Sequence, residues 1–243
     1  MEKRPVTIRV LMFGVLLVGC VHEREAATGA APQQLLVVLT EDWATPAAVS
    51  TLYQRNGSGW REVASGPAVV GKNGLGWGRG LAVALPRGAD EPIKREGDGK
   101  APAGVFRIGD AFGATAIGGA WRFRVLKPTT ECVDDVASAQ YNRTVENDAV
   151  VVDWKSSEKM ASEPLYRVGA FVEHNVTDTQ VGAGSCIFMH VWREQGRGTA
   201  GCTAFDEAQV RKVLSALRPE ANPILIQLPR TVYAAHRAEA GWP

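Results

Sequence analysis

A histidine closes the apolar run Gly184-Ser185-Cys186-Ile187-Phe188-Met189-His190, and Thr199-Ala200-Gly201-Cys202 follows it. A cysteine thiol is mostly protonated at neutral pH, whereas attack on a carbonyl requires the thiolate, so a nucleophilic cysteine needs an imidazole as base. His22 lies near one end of the chain and His236 near the other, which leaves His174 and His190 as partners. His190 leads into the loop that delivers Cys202, so that loop alone can bring ring and sulfur together. The intervening residues, Val191 to Ala200, include Gly196, Gly198 and several charges, as an exposed loop does. Cys202 is therefore the candidate nucleophile and His190 its general base and acid. Gly201 permits close approach of a substrate carbonyl, and the amides around it are candidates for an oxyanion hole. The competing reading is a cysteine buried in a tight turn beside a satisfied core histidine.

The elements that would position this pair are mostly strands. Leu35 to Leu39 is a short apolar run that reads as a buried strand. Thr51–Arg55 and Trp60–Val63 flank Asn56-Gly57-Ser58-Gly59 and read as a hairpin whose Asn-Gly turn supplies positive φ. Gly104–Ile108 and Trp121–Val125 alternate with period two. Ala149–Val152, Ala170–His174, Ser185–Val191 and Ile224–Leu228 read as further strands. The glycine-rich stretch Gly71–Gly78 lacks a following Gly-Lys-Ser/Thr and reads as a sheet-edge turn. One helix is clear: from Asp206 to Leu217, with Val210, Val213, Leu214 and Leu217 on one face, acidic residues at its start and Pro219 past its end. Beyond Pro229 the sequence turns polar and is expected to fray. The chain is expected to be mainly β with a few helices.

The N-terminal residues read as an address. Lys3, Arg4 and Arg9 precede the apolar run Val10–Gly19, which is too short to span a bilayer. Leu17-Val18-Gly19-Cys20 is similar to the bacterial lipobox, which implies cleavage after residue 19 and a lipid on Cys20. Residues 20–33 then form a tether, and the absence of aspartate at Val21 favours the outer membrane as the anchoring surface. Without residues 1–19, 27 basic residues less three leave 24, and 26 acidic less one leave 25, a formal net charge of −1. No basic excess exists for nucleic acid. Four cysteines are present. With Cys20 lipidated and Cys202 reactive, Cys132 and Cys186 remain, either as a disulfide or as two buried thiols.

The His190–Cys202 segment resembles the active-site signature of the L,D-transpeptidase (YkuD/ErfK) family: a histidine, a loop, then Ser/Thr-His-Gly-Cys. Thr199, Gly201 and Cys202 match that pattern, while Ala200 replaces its second histidine and Ala204 stands near its usual asparagine. Lys94-Arg95-Glu96-Gly97-Asp98-Gly99-Lys100-Ala101-Pro102-Ala103-Gly104-Val105-Phe106 is similar to a second block of a divergent periplasmic branch. Val133-Asp134-Asp135 with Tyr141-Asn142-Arg143, and His174-Asn175, resemble two more. The resemblance spans roughly residues 34–229, leaving 230–243 as a tail. It implies a β-sandwich or β-roll with the cysteine in a cleft, and acyl transfer on peptidoglycan stem peptides without metal or cofactor.

By that resemblance, Cys202 attacks the carbonyl of the third, diamino-acid residue and expels terminal D-alanine; an amine or water then resolves the thioester. Asp135, Tyr141, Asn142, Arg143, His174 and Thr199 are the candidate substrate-binding residues. Arg143 or Arg193 could grip a carboxylate, or Asp135 and Arg143 could pair with each other. Trp121, Trp154 and Trp192 are expected in the core. A zinc site built from the His/Cys pair with Asp134 and Asp135 lacks any Cys-x-x-Cys or His-x-x-x-His spacing. The expected activity is a transpeptidase. A carboxypeptidase or endopeptidase using the same pair, and a non-catalytic wall-binding lipoprotein, are the alternatives.

Overall fold

The computed structural model describes residues 31–119 and 121–243. The expected export segment, Cys20 and nearly all of the tether lie outside the described residues. The strands are β1 (Gln34–Thr40), β2 (Ala47–Asn56), β3 (Gly59–Val69), β4 (Leu75–Trp77), β5 (Ala101–Gly113), β6 (Phe123–Val125) and β7 (Thr130–Val133). They continue as β8 (Thr144–Glu146), β9 (Ser157–Lys159), β10 (Val168–Val172), β11 (Phe188–Val191), β12 (Thr203–Phe205) and β13 (Ile224–Pro229). Two α-helices accompany them, α1 (Glu207–Ala216) and α2 (Arg230–His236).

The large sheet closes on itself. Its order runs β10-β11-β12-β3-β2-β1-β13-β5, and β5 pairs back onto β10. The long β5 makes closure possible: Gly104–Arg107 pair with β13, and Ile108–Gly113 pair with β10. β4 and β6 add to the same strand. The apolar run in β1 lies between β2 and β13 and is buried along nearly its whole length, as a strand covered on both faces requires. The β2–β3 hairpin turns at Gly57-Ser58, with Asn56 paired to Gly59 and Gly57 at φ 58°. The turn thus sits one residue later than the Asn-Gly pair suggested, with glycine at the position that demands positive φ.

Helix α1 begins where the sequence signals it. The Asp206 carboxylate accepts from the Gln209 N–H at 2.9 Å, and Val210, Val213 and Leu214 are buried. This face packs on β3, β10 and β11. A second, three-stranded sheet (β8-β7-β9) stands apart from the ring. Glu131 of β7 is its hub, accepting from Asn147, Trp154, Ser157 and Lys159. Burial alone would raise this carboxyl, but those four donors hold it at about 2.

Two expectations are corrected. Ala149–Val152 forms no strand; it has no pairing partner, and Val151 is 87% exposed. Residues 230–243 do not fray: α2 packs on β1 and β13, and Trp242 stacks on Tyr233 with ring centroids 5.7 Å apart. Trp60 Nε1 and the Tyr233 hydroxyl donate to the carbonyls of Gly241 and Pro243, which fixes the segment despite its polar composition.

Candidate active site

Parallel strands β11 and β12 position the two candidate residues, His190 within β11 and Cys202 immediately before β12. Met189 lies opposite Thr203 and His190 opposite Ala204, so Cys202 falls one position before the paired stretch, level with Phe188. Alternation then puts Cys202, Ala204, Phe188 and His190 on one face. The Phe188 N–H donates to Cys202 Sγ at 3.3 Å, and the thiol donates to the Cys186 carbonyl at 3.6 Å. Cys202 and His190 both line one cleft of about 710 Å³. The face they share is backed by a cluster in which Phe112, Phe188 and Tyr166 pack edge to face, with Met160 beside them.

His190 Nδ1 lies 2.8 Å from the Val191 carbonyl oxygen. A carbonyl only accepts, so Nδ1 carries the proton and a neutral ring keeps its lone pair on Nε2. Tyr166 packs against this ring in a T-shaped arrangement, ring centroids 5.2 Å apart. Burial pulls the imidazole below its ordinary pKa, against the opposing pull of the Val191 carbonyl and the Glu163 charge. Burial likewise pushes the Cys202 thiol up to about 12, although the Phe188 amide and the Lys94 charge favour the anion. The resting pair is therefore thiol and neutral imidazole. Such a pair can form a thiolate by proton transfer during attack, without storing one beforehand.

A disulfide joins Cys132 of β7 to Cys186, which decides between the two sequence readings of those cysteines. Cys202 is the free thiol among the described residues. Cys186 has φ 53°, a left-handed conformation unusual for a side-chain-bearing residue. Three contacts hold it there: the disulfide, the thiol of Cys202 on its carbonyl, and its N–H donated to Asn142 Oδ1 at 3.0 Å.

Several of the candidate substrate-binding residues make hydrogen bonds within the scaffold. Asn142 Nδ2 donates to the carbonyls of His174 and Asn175, tying β7's following loop to the segment before β11. His174 is buried; its Nδ1 accepts from the Arg79 N–H and its Nε2 donates to the Ala183 carbonyl. It supports the loop and does not line the cleft. Tyr141 is buried and donates its hydroxyl to Glu96 Oε2, which also accepts from Ser185. Asp135 accepts from the amides of Ala137 and Lys155 and shapes a turn outside the cleft. Arg143 is exposed, forms no ion pair with Asp135 among the described residues, and does not line the cleft; Arg193 does. The Gly201 N–H, expected to face substrate, instead donates to Thr199 Oγ1 at 3.1 Å. That hydroxyl donates in turn to the Cys202 carbonyl at 2.6 Å, so both residues close the turn that presents the thiol.

The cleft also contains residues that the sequence reading assigned no role at the site. Lys94 is buried, its ammonium held by Asp98 Oδ1 at 2.7 Å and by the Arg95 carbonyl. Glu158 and Tyr166 meet through a 3.1 Å hydrogen bond. Burial and the charges of Asp134 and Glu163 raise the Glu158 carboxyl, opposed by the Tyr166 hydroxyl. Lys94 and Glu96 fall inside the block that carries the family resemblance. Glu158 lies in the three-residue strand β9, and Glu163 and Tyr166 in the short turns after it, stretches too short to carry a periodic signal. Among the described residues, no group of three or more His, Cys, Asp or Glu side chains could hold a metal ion.

The family model of the L,D-transpeptidase catalytic domain (YkuD) matches residues 41–226. The chain belongs to this family, whose function lies in peptidoglycan. Among solved structures, it is similar to Bd1075 of Bdellovibrio bacteriovorus (12% identity, TM-score 0.43), covering 88% of this chain and 56% of that one. It is also similar to Pgp2 of Campylobacter jejuni, a helical cell shape determining protein (13% identity, TM-score 0.42, 80% and 48% covered). The chain thus spans about half the length of these structures. The comparison with curated proteins yields no match.

Proposed function

We propose that this protein transfers acyl groups on peptidoglycan stem peptides through a thioester on Cys202. The supporting observation is the placement of a thiol and a base-competent imidazole on one face of neighbouring parallel strands, at the wall of one cleft. Cys202 Sγ attacks the carbonyl carbon of the third stem residue as His190 Nε2 takes the thiol proton. The resulting imidazolium gives that proton to the nitrogen of the leaving D-alanine as the C–N bond breaks. An incoming amine then attacks the thioester, its proton passes to His190, and the sulfur leaves. Water in place of the amine gives a carboxypeptidase.

Two further parts of the proposal concern placement. The Cys132–Cys186 disulfide suits an oxidising compartment such as the periplasm. The lipobox-like segment assigns a lipid anchor to Cys20. Incubation of the purified chain with defined tetrapeptide muropeptides, read by mass, tests the reaction. Gain of a second stem is the expected product of transfer, and loss of D-alanine alone that of hydrolysis. Unchanged product formation by Cys202→Ala removes the nucleophile assignment.

A further inference from the structure

The closed sheet carries His190 and Cys202, but two lines of contact run from them to the small sheet and end on one cross-strand pair. Cys132 of β7 lies directly opposite Glu158 of β9, and residues opposite each other in an antiparallel pair share a face. The first line is covalent: Cys132 is bonded to Cys186, whose carbonyl accepts from the Cys202 thiol. The second starts at Glu158 Oε2, which accepts from the Tyr166 hydroxyl at 3.1 Å. The Tyr166 ring then meets His190 in a T-shaped contact, centroids 5.2 Å apart. Phe188 and Phe112 also pack on that ring in T-shaped contacts, at 5.3 and 6.0 Å. His190 has few restraints of its own. Its Nδ1–H bonds the carbonyl of Val191, the next residue in the chain, and among the described residues no side chain hydrogen-bonds to it. The Val191 bond selects the tautomer but ties the ring only to its own strand. A base beside a nucleophile needs a further group to orient it, and the aromatic contact with Tyr166 fills that place. Tyr166 ends the short helical turn Pro164–Tyr166, and its bond to Glu158 sets where the ring stands.

Resting on the acyl-transfer reading, we propose that Tyr166 and Glu158 are positioning residues for His190, so that the small sheet sets base and nucleophile against each other. The Glu158–Tyr166 hydrogen bond fixes the Tyr166 ring, and the ring holds the imidazole in the orientation that offers Nε2 to the thiol proton. The contact with His190 is made by the ring, so no proton passes along this path. What Glu158 supplies is an acceptor, and a neutral amide serves as well.

The test uses variants of the full chain: Tyr166→Phe, which keeps the ring and loses the hydroxyl; Glu158→Leu, which loses the acceptor; and Glu158→Gln, which keeps one. All are compared at a temperature where unfolding curves show each fully folded. With tetrapeptide muropeptides, Tyr166→Phe and Glu158→Leu are expected to lower kcat roughly ten- to hundredfold while KM stays within about twofold. Combined, they lose no more than either alone, because the same link is broken once. Glu158→Gln, whose amide oxygen still accepts, stays within about threefold of wild type. Additive losses, or a loss in Glu158→Gln as large as in Glu158→Leu, overturn the link. A raised KM with kcat unchanged also overturns it, in favour of a substrate contact. Histidine NMR on the same proteins needs no substrate and separates the two readings. With 15N-labelled imidazoles, His190 (assigned by its absence in His190→Gln) is expected as a single Nδ1–H tautomer in wild type. In Tyr166→Phe and Glu158→Leu it is expected as an average of both tautomers. An unmoved His190 signal in both variants overturns the positioning role even where kcat falls. Averaging in the variants of a wild-type protein that turns over no muropeptide removes acyl transfer and keeps the positioning role.

Discussion

The thiol of Cys202 donates to the backbone carbonyl of Cys186, 3.6 Å away, and Cys186 is itself bonded through sulfur to Cys132. The disulfide and the free thiol are therefore parts of one device: the bond fixes the left-handed residue whose carbonyl positions the thiol. Replacing Cys132 and Cys186 together by alanine is expected to cost about 2–5 kcal/mol of stability. Iodoacetamide alkylation of Cys202 will speed up as its enclosure loosens, while acylation by substrate slows. Peptide mass mapping and single-turnover acylation measure the two rates; a parallel change in both contradicts the positioning role.

A resting pair of neutral thiol and neutral imidazole has its own pH signature. Protonation of His190 removes the base of the proposed mechanism, and burial has moved that event below the ordinary histidine range. The acid limb of kcat/KM is accordingly expected below pH 6.5, with a plateau above it. The thiol, raised to about 12, gives no thiolate plateau in direct alkylation, whose rate keeps rising through pH 9. An alkylation rate already flat at pH 6 would indicate a stored ion pair instead.

His174 makes stability itself sensitive to acid. Burial lowers it from 6.5 to about 4, against the hydrogen bond to Ala183. The unfolded chain binds this proton near pH 6.5 and the folded chain only near 4. The unfolded state thus holds more protons in that window, and stability falls as pH falls through it. Full stability from this group is present above 6.5, and roughly 3 kcal/mol is lost by pH 4. Glu131, lowered from 4.5 to about 2, adds a second loss between those values. Urea unfolding of His174→Gln across pH 7 to 3 will lack the upper limb and keep the lower one.

Asn142 has φ 60° and bonds Cys186, His174 and Asn175 at once. Asn142→Gly keeps the backbone conformation and loses the bonds, at about 2 kcal/mol; Asn142→Ala adds about 1 kcal/mol for the left-handed geometry. Thermal unfolding gives this order. Both variants are expected to lower kcat more than they raise KM, since Asn142 lies outside the cleft.

The strands that close the ring were largely legible because their apolar residues have one plain reading. Leu35–Leu39 became β1, and the Val210/Val213/Leu214 stripe became the buried face of α1. Val150–Val152 misled for the same reason: β-branched residues favour strands, but a strand exists only where a neighbour offers its hydrogen bonds. The meeting of His190 and Cys202 at one cleft was legible through local chain connection. Asp135, Tyr141 and Asn142 stood out by residue type, yet type does not reveal whether a polar side chain faces a cleft or a backbone. Asp134, one residue from Asp135, reaches the cleft. Glu158 arrives there on the three-residue strand β9 and Tyr166 through the short helical turns after it, stretches too short for a period to constrain direction.

The central place of β1 bears on how the chain comes to be made. Leu35 to Thr40 lie alongside Ile224 to Pro229, partners separated by almost the entire described sequence. Emerging from synthesis, β1 and β2 can zip together early, but one edge stays bare until the far end arrives. The slow step of maturation is then a long-distance closure, and any shortened product ending before Ile224 will display a sticky apolar margin instead of a functioning domain.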